Sequence, residues 1–232
     1  MQQLSLGKSS IKPWAGIALG VLGSRLQVAQ LLAHQSTLSE ALKDSLISER
    51  NPGRVGALAI GLGLIGEPSA VDVMLEKLLD IQDSEARGYL CIGLGLLNER
   101  TAIEPIQDLV SKSRYRPELL QQAAIGLGLM GDYELVPYLT DMLVEANSLA
   151  SQAAITKALG FIGDKRSIAP LLSLLEEREV TSLSRAFGAA ALGLIAERSM
   201  LPWNTDISCD LNYRASTVTL NDTGGTGIIN IL

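Results

Sequence analysis

The sequence is poor in the residues on which most catalytic and metal sites depend. Its 232 residues include one histidine, His34, and two cysteines, Cys91 and Cys209. Two such cysteines form neither a disulfide framework nor a CxxC metal site. No Ser-His-Asp or Cys-His arrangement is apparent around the single histidine. We therefore expect no catalytic residue, no metal and no cofactor, and we predict that the protein is not an enzyme.

Positive charge and long apolar runs are also scarce. Nineteen Lys and Arg face twenty-five Asp and Glu, and the net charge of -6 argues against a broad surface for nucleic acid or an anionic membrane. Basic peptides or cationic faces of proteins are the expected charged partners. The N-terminus shows no secretory signal, and the longest apolar stretch, 55–66, is shorter than the ~20 residues that span a bilayer. We expect a soluble protein in a reducing, cytoplasmic compartment.

What the sequence does contain is a repeat. Six segments share one pattern of apolar residues and glycine, and their common glycines lie 43, 32, 33, 32 and 33 residues apart. These glycines are Gly20, Gly63, Gly95, Gly128, Gly160 and Gly193. A second series keeps the same period and consists of Pro105, Pro137, Pro170 and Pro202. Because proline is tolerated in the first turn of a helix, each repeat is predicted to be a first helix, a tight turn and a second helix.

The glycine pattern predicts close packing rather than a nucleotide site. The first helix is apolar nearly all round, which indicates a helix packed between neighbours, and its glycines let adjacent repeats stack closely. The last residue of the pattern is predicted to be a left-handed helix cap, with Ala196 as the exception; the other five are Gly23, Gly66, Asn98, Gly131 and Gly163. Segments 61–66 and 126–131 match the dinucleotide fingerprint GxGxxG, but they recur at the repeat period and end a helix.

These features resemble HEAT repeats. The period near 32, the Gly- and Ala-rich first helix, the Gly-Asp turns at 131–132 and 163–164, and the proline opening the second helix carry the resemblance over residues 13 to 202. They are most similar to the short repeats of phycocyanobilin-lyase subunits and bacterial scaffolds. The resemblance implies an all-α fold, a right-handed α/α superhelix of about six helix pairs. It leaves three functions open: a non-enzymatic protein-binding scaffold or adaptor, a subunit of a phycobilin lyase, or a self-assembling repeat array.

Three regions depart from the repeat. The wide first spacing predicts an extra helix over about 37–50, opened by a capping box at Thr37 to Glu40. The repeat domain is predicted to span 1–202, and the polar segment 203–232 to cap it with two short extended segments. Within that tail, Asp222-Thr-Gly224 is interpreted as a glycine-rich turn. The N-terminal end has no comparable cap, so it is a candidate for self-association or for continuation of a longer array.

One cluster of charged residues is a candidate partner-binding patch, with ordinary solvated surface as the alternative interpretation. If the second helices line the concave face, as in the HEAT solenoids that the sequence resembles, two carboxylates four residues apart recur 32 residues later. The four residues are Asp72, Glu76, Glu104 and Asp108. A basic protein surface or a cation would be favoured there, and Thr140 and Ser173 in later repeats make the patch local. The basic stretch 112–117, with Tyr115, could contact phosphates or complement a helix dipole, and the acidic composition favours the second interpretation.

Overall fold

The computed structural model describes residues 12–28, 32–177 and 180–196, which form helices joined by short turns. Short 3-10 segments, Pro68–Ala70, Arg100–Ala102 and Lys165–Ser167, precede three of the helices. The helices are α1 Lys12–Val28, α2 Leu32–Ser48, α3 Pro52–Ile65, α4 Val71–Asp80, α5 Ser84–Leu97, α6 Ile103–Lys112, α7 Pro117–Leu129, α8 Leu135–Glu145, α9 Leu149–Ile162, α10 Ile168–Glu176 and α11 Ser182–Ala196. The predicted all-α solenoid class is confirmed.

The helices fall into two compact units. The first unit extends to Asp132 and contains α1 to α7, and the second begins at Tyr133 and contains α8 to α11. The first helices of the successive pairs are α1, α3, α5, α7, α9 and α11, and the second helices are α2, α4, α6, α8 and α10. The predicted repeat domain over 1–202 thus contains two units, and its predicted boundary with 203–232 lies outside the described residues.

Within each unit, the first helices stack on one another far more closely than the second helices do. The glycines of the pattern make this possible. A Cβ atom added at Gly63 would lie 2.5 Å from the carbonyl oxygen of Gly93, and one at Gly95 would lie 2.6 Å from that of Gly126. Atoms this close leave no room for a side chain, so the predicted packing role is confirmed at Gly63 and Gly95, whereas a Cβ at Gly193 would meet no described atom within 4 Å.

The ends of the helices follow the capping chemistry of the sequence. The predicted left-handed caps are confirmed at four positions, with φ of 72°, 55°, 71° and 67° at Gly66, Asn98, Gly131 and Gly163. The prediction for Gly23 is wrong, because α1 continues to Val28. A Cβ at Gly23 would lie 2.6 Å from Cγ1 of Ile65, so this glycine serves packing between α1 and α3.

Each second helix of the three later pairs carries its proline near the beginning. Pro105, Pro137 and Pro170 are the third residues of α6, α8 and α10, as the spacing predicted, and Pro202 lies outside the described residues. In the first turn of a helix the missing N–H has no intrahelical partner to lose. The proline series therefore marks the starts of these helices correctly.

The predicted extra helix is the second helix of the first pair. α2 begins at Leu32, so Thr37 to Glu40 lie inside it and do not open it. Its apolar side buries Leu38, Leu42 and Leu46. α1 and α2 have 17 residues each, whereas α3 has 14 and α4 has 10. The wide first spacing thus comes from a lengthened pair and not from an inserted element.

Candidate functional site

The four predicted carboxylates lie on the second helices α4 and α6 of unit 1. Asp72 and Glu76 are exposed on α4, and Glu104 and Asp108 are exposed on α6. Residues four apart share one side of a helix, so each pair points to the same side of its helix. Neighbouring apolar residues of the same two helices are buried, namely Met74 on α4 and Ile106, Leu109 and Val110 on α6. We call these four residues the acidic patch.

The charge of the acidic patch is only partly compensated. The Lys112 ammonium lies 2.7 Å from Oδ2 of Asp108, one helical turn away. The neighbouring Lys77 instead donates from Nζ to the carbonyl oxygen of Ile47, at 3.1 Å, near the carboxyl end of α2. The backbone carbonyl groups at the carboxyl end of a helix carry partial negative charge and attract a cation. This explains why the Lys77 ammonium lies against α2. In the described part of the chain, Asp72, Glu76 and Glu104 have no ion pair.

The structure changes which residue of α8 corresponds to Asp108. The buried residues Leu139, Met142 and Leu143 of α8 repeat the buried residues of α6 at a spacing of 33 and not of 32. Exposed Asp141 is therefore equivalent to Asp108, where a spacing of 32 had indicated Thr140. The acidic character of this position thus continues into the next second helix, which sequence spacing alone missed.

A comparison with protein families gives the repeat its name. A model of HEAT repeats matches residues 72–155 and again residues 112–193, which together make up more than half of the chain. The chain belongs to the HEAT-repeat family. A comparison with curated proteins found no match. The family match covers HEAT repeats in general, and the closer relation to phycocyanobilin-lyase repeats stays a prediction.

Unit 2 contains a groove of about 540 Å³ between its HEAT helices. Two of its polar side chains, Gln152 and Ser184, already hydrogen bond. Nε2 of Gln152 donates to the carbonyl oxygen of Ala146 at 3.0 Å, and its Oε1 accepts from the Ser184 hydroxyl. Much of the remaining lining is apolar and comprises Leu143, Val144, Leu149, Pro170, Leu174 and Val180. The groove is thus largely apolar, and its Gln152 and Ser184 side chains are already engaged within the protein.

A smaller cavity of about 320 Å³ lies at the equivalent edge of unit 1 and is charged. The Arg54 guanidinium lies 3.1 Å from Oε2 of Glu49, and Oε1 of the same carboxylate accepts from the backbone N–H groups of Arg50 and Asn51. Asn51 in turn caps α3, accepting from the N–H of Arg54 at 3.1 Å. These contacts hold the turn between α2 and α3, so the charges of Glu49 and Arg54 in this cavity have a structural role.

The other candidate residues show no catalytic or metal-binding environment in the described part of the chain. His34 is exposed on α2, and the Cys91 thiol is fully buried, where loss of solvation raises its pKa to about 12. A thiol with so high a pKa is a poor nucleophile. Across residues 12–28, 32–177 and 180–196, no group of three or more His, Cys, Asp or Glu could hold a metal ion. Asp222-Thr-Gly224 and Cys209 lie outside these ranges.

The basic stretch 112–117 joins α6 to α7. Lys112 is held by Asp108, and Tyr115 is 91% exposed. Pro117 opens α7.

Within the HEAT helices that the structure describes, none is long and apolar enough to cross a membrane.

Proposed function

We propose that the chain is a non-enzymatic scaffold or adaptor that binds a protein partner with a basic surface. HEAT repeats are commonly protein-interaction scaffolds, and their all-α solenoids are typically non-catalytic. The observation that carries the proposal is the acidic patch: four exposed carboxylates recur at equivalent positions of α4 and α6, and Lys112 is the one cation paired with them in the described chain.

The exposed charges of the acidic patch are better suited to recognising a protein partner than to stabilising the fold. Exposed carboxylates keep most of their hydration in the folded chain. Contact with a Lys or Arg of a partner therefore costs little desolvation free energy. Complementary charges speed association and select among partners more than they add affinity. The net charge of -6 repels nucleic acid and anionic lipid, which supports a protein partner. We also propose that α4 and α6 lie on the concave side of unit 1.

The proposal is tested with a partner captured from native lysate on the immobilised chain and then purified. The double variant Glu76→Lys with Asp108→Lys is expected to weaken its binding about tenfold or more. Both side chains are exposed, so far-UV circular dichroism should stay unchanged. Glu176→Lys with Glu177→Lys, at exposed residues at the end of α10, changes the net charge equally and serves as the matched control.

The control separates a local patch from a general effect of charge. If both double variants weaken the partner equally, only the overall field matters and the acidic patch is not the binding surface. Unchanged affinity in the Glu76 and Asp108 variant contradicts the proposal as well. Weakening confined to that variant, and reduced by added salt, supports it.

Two other functions have their own tests. A phycobilin-lyase subunit, suggested only by the resemblance of its repeats, would form a covalent coloured adduct when incubated with bilin and an acceptor protein. A self-assembling array, growing through the N-terminal end, would give light scattering that increases with concentration. We expect neither result, since neither property follows from the surfaces described above.

A further inference from the structure

A second surface of unit 1 lies on its first helices. The third residue of the repeat pattern is isoleucine in α3, α5 and α7, and leucine follows four residues later. These six residues are partly open to solvent: Ile60 and Leu64, Ile92 and Leu96, Ile125 and Leu129, the last 43% exposed. We call them the isoleucine face. The equivalent positions of α1 are aliphatic too.

The position of this face follows from helix geometry. Residues four apart share one side of a helix. The leucines two positions after each isoleucine, Leu62, Leu94 and Leu127, are fully buried, so they occupy the side that faces the core. Glycine contacts between neighbouring first helices occupy the flanks. The isoleucines and their partners are left on the side away from the core, in three adjacent helices that glycine brings close together.

Acidic residues border this face at both ends of the helices. Glu85 and Glu118 are exposed in the first turns of α5 and α7, seven residues before Ile92 and Ile125, and seven residues is two turns on the same side. The phenol of Tyr89 is close enough to both glutamates to be affected by their charges. Burial is the main cause that raises the pKa of this phenol, and the negative charges of Glu85 and Glu118 raise it further. Both carboxylates therefore lie near one ring.

At the other end, acidic residues follow the helix caps. Glu67 and Glu99 come directly after Gly66 and Asn98, seven residues beyond Ile60 and Ile92. Arg100, exposed in the following 3-10 segment, adjoins Glu99. The border of the isoleucine face is thus mainly acidic, while the face itself carries no charged side chain.

We propose that the isoleucine face binds an amphipathic helix of a protein partner, with an apolar stripe against the isoleucines and Lys or Arg side chains against Glu85 and Glu118. The inference rests on the proposed function, because it adds a surface and a class of partner to protein binding. An apolar stripe at i, i+3, i+4 and i+7 matches such a surface, and flanking cations match its border. A second copy would bring acidic borders together, and anionic lipid would be repelled by them.

The test uses a fluorescein-labelled helical peptide of about 18 residues, with a leucine stripe flanked by lysines. Fluorescence anisotropy with the full chain should show saturable binding. A peptide with glutamate in place of lysine, and a scrambled peptide of the same composition, should bind about tenfold more weakly or not at all. Equal binding of either control peptide overturns the proposal.

Two double variants of the chain locate the peptide. Ile92→Gln with Ile125→Gln removes the apolar centre and should weaken binding about tenfold. Glu85→Lys with Glu118→Lys alters only exposed charges, should weaken binding severalfold, and keeps the test valid if the glutamine variant is less stable. Unchanged affinity in both overturns the proposal. A dimer in sedimentation equilibrium that the glutamine variant abolishes, or binding to phosphatidylcholine vesicles that it abolishes, also overturns it.

The acidic-patch variant separates this inference from the proposed function. Glu76→Lys with Asp108→Lys should leave peptide affinity unchanged, because those residues lie on second helices. If the peptide fails to bind but this variant weakens the captured partner, the inference is wrong and the proposed function stands. If the peptide binds as expected but the captured partner is insensitive to the acidic-patch variant, the acidic patch is wrong and the isoleucine face stands.

Discussion

Replacing Gly95 with alanine should destabilise the stack of first helices. Gly95 lies in α5 against α7, and a Cβ there would lie 2.6 Å from the carbonyl oxygen and 2.8 Å from Cα of Gly126. Both are backbone atoms of a packed helix, so no side chain can rotate away and the two helices must separate. Overpacking of this kind costs about 1–3 kcal/mol, and alanine returns about 1 kcal/mol of helix propensity. With a clash against backbone, we expect a net loss of about 1–2 kcal/mol.

Gly193→Ala provides the matched control. Gly193 occupies the same position of the repeat in α11, but among the described residues a Cβ added there meets nothing within 4 Å. Alanine should therefore increase the free energy of unfolding by about 0.5–1 kcal/mol. Urea unfolding followed by circular dichroism at 222 nm measures both variants against the unaltered chain. If Gly95→Ala is as stable as Gly193→Ala, the glycines do not set the spacing of the helices.

Two further predictions concern ionisable groups, the buried thiol of Cys91 and the partly buried ammonium of Lys157. In a Cys209→Ser background, a thiol reagent at pH 8 should modify Cys91 on the order of a hundredfold more slowly in the folded chain than in urea, since burial raises its pKa to about 12; comparable rates would place the thiol at the surface. Burial lowers the pKa of Lys157 from 10.5 to about 8, so the unfolded chain binds more protons between these values and stability should rise with pH there. Urea unfolding at pH 7.5 and 9 should show this rise, and Lys157→Met should reduce it; at higher pH, ionisation of the Cys91 thiol in the unfolded chain lowers stability and opposes the rise.

The sequence predicted the features that repeat. Recurring glycines and prolines mark the same backbone requirement in each repeat, so the close stacking of first helices and the starts of α6, α8 and α10 follow from spacing alone. Proline is a looser marker of register than of helix starts, because several positions of the first turn tolerate it. This is why the spacing at Pro137 indicated Thr140, whereas the buried residues of α8 align Asp141 with Asp108.

The predictions that failed concern places where the sequence pattern recurs but the packing of the helices differs. Gly23 has the sequence position of a cap, but the chain after it continues the helix, and no glycine or proline separates 37–50 from the preceding residues. The isoleucine face escaped prediction for a similar reason: the first helices are apolar nearly all round, so no polar residue marks the side that faces solvent. The pair of Asp108 with Lys112 was readable from its spacing of four.

The central claim is that a protein partner covers carboxylates of unit 1. Carbodiimide-driven labelling of carboxylates, read by mass spectrometry with and without the captured partner, tests it residue by residue. We predict that the partner lowers labelling of Asp72, Glu76 and Glu104, while exposed Glu176 on α10 is labelled equally in both states. Unchanged labelling of those three carboxylates and of Glu85 and Glu118, in a complex shown to be intact, would contradict the account.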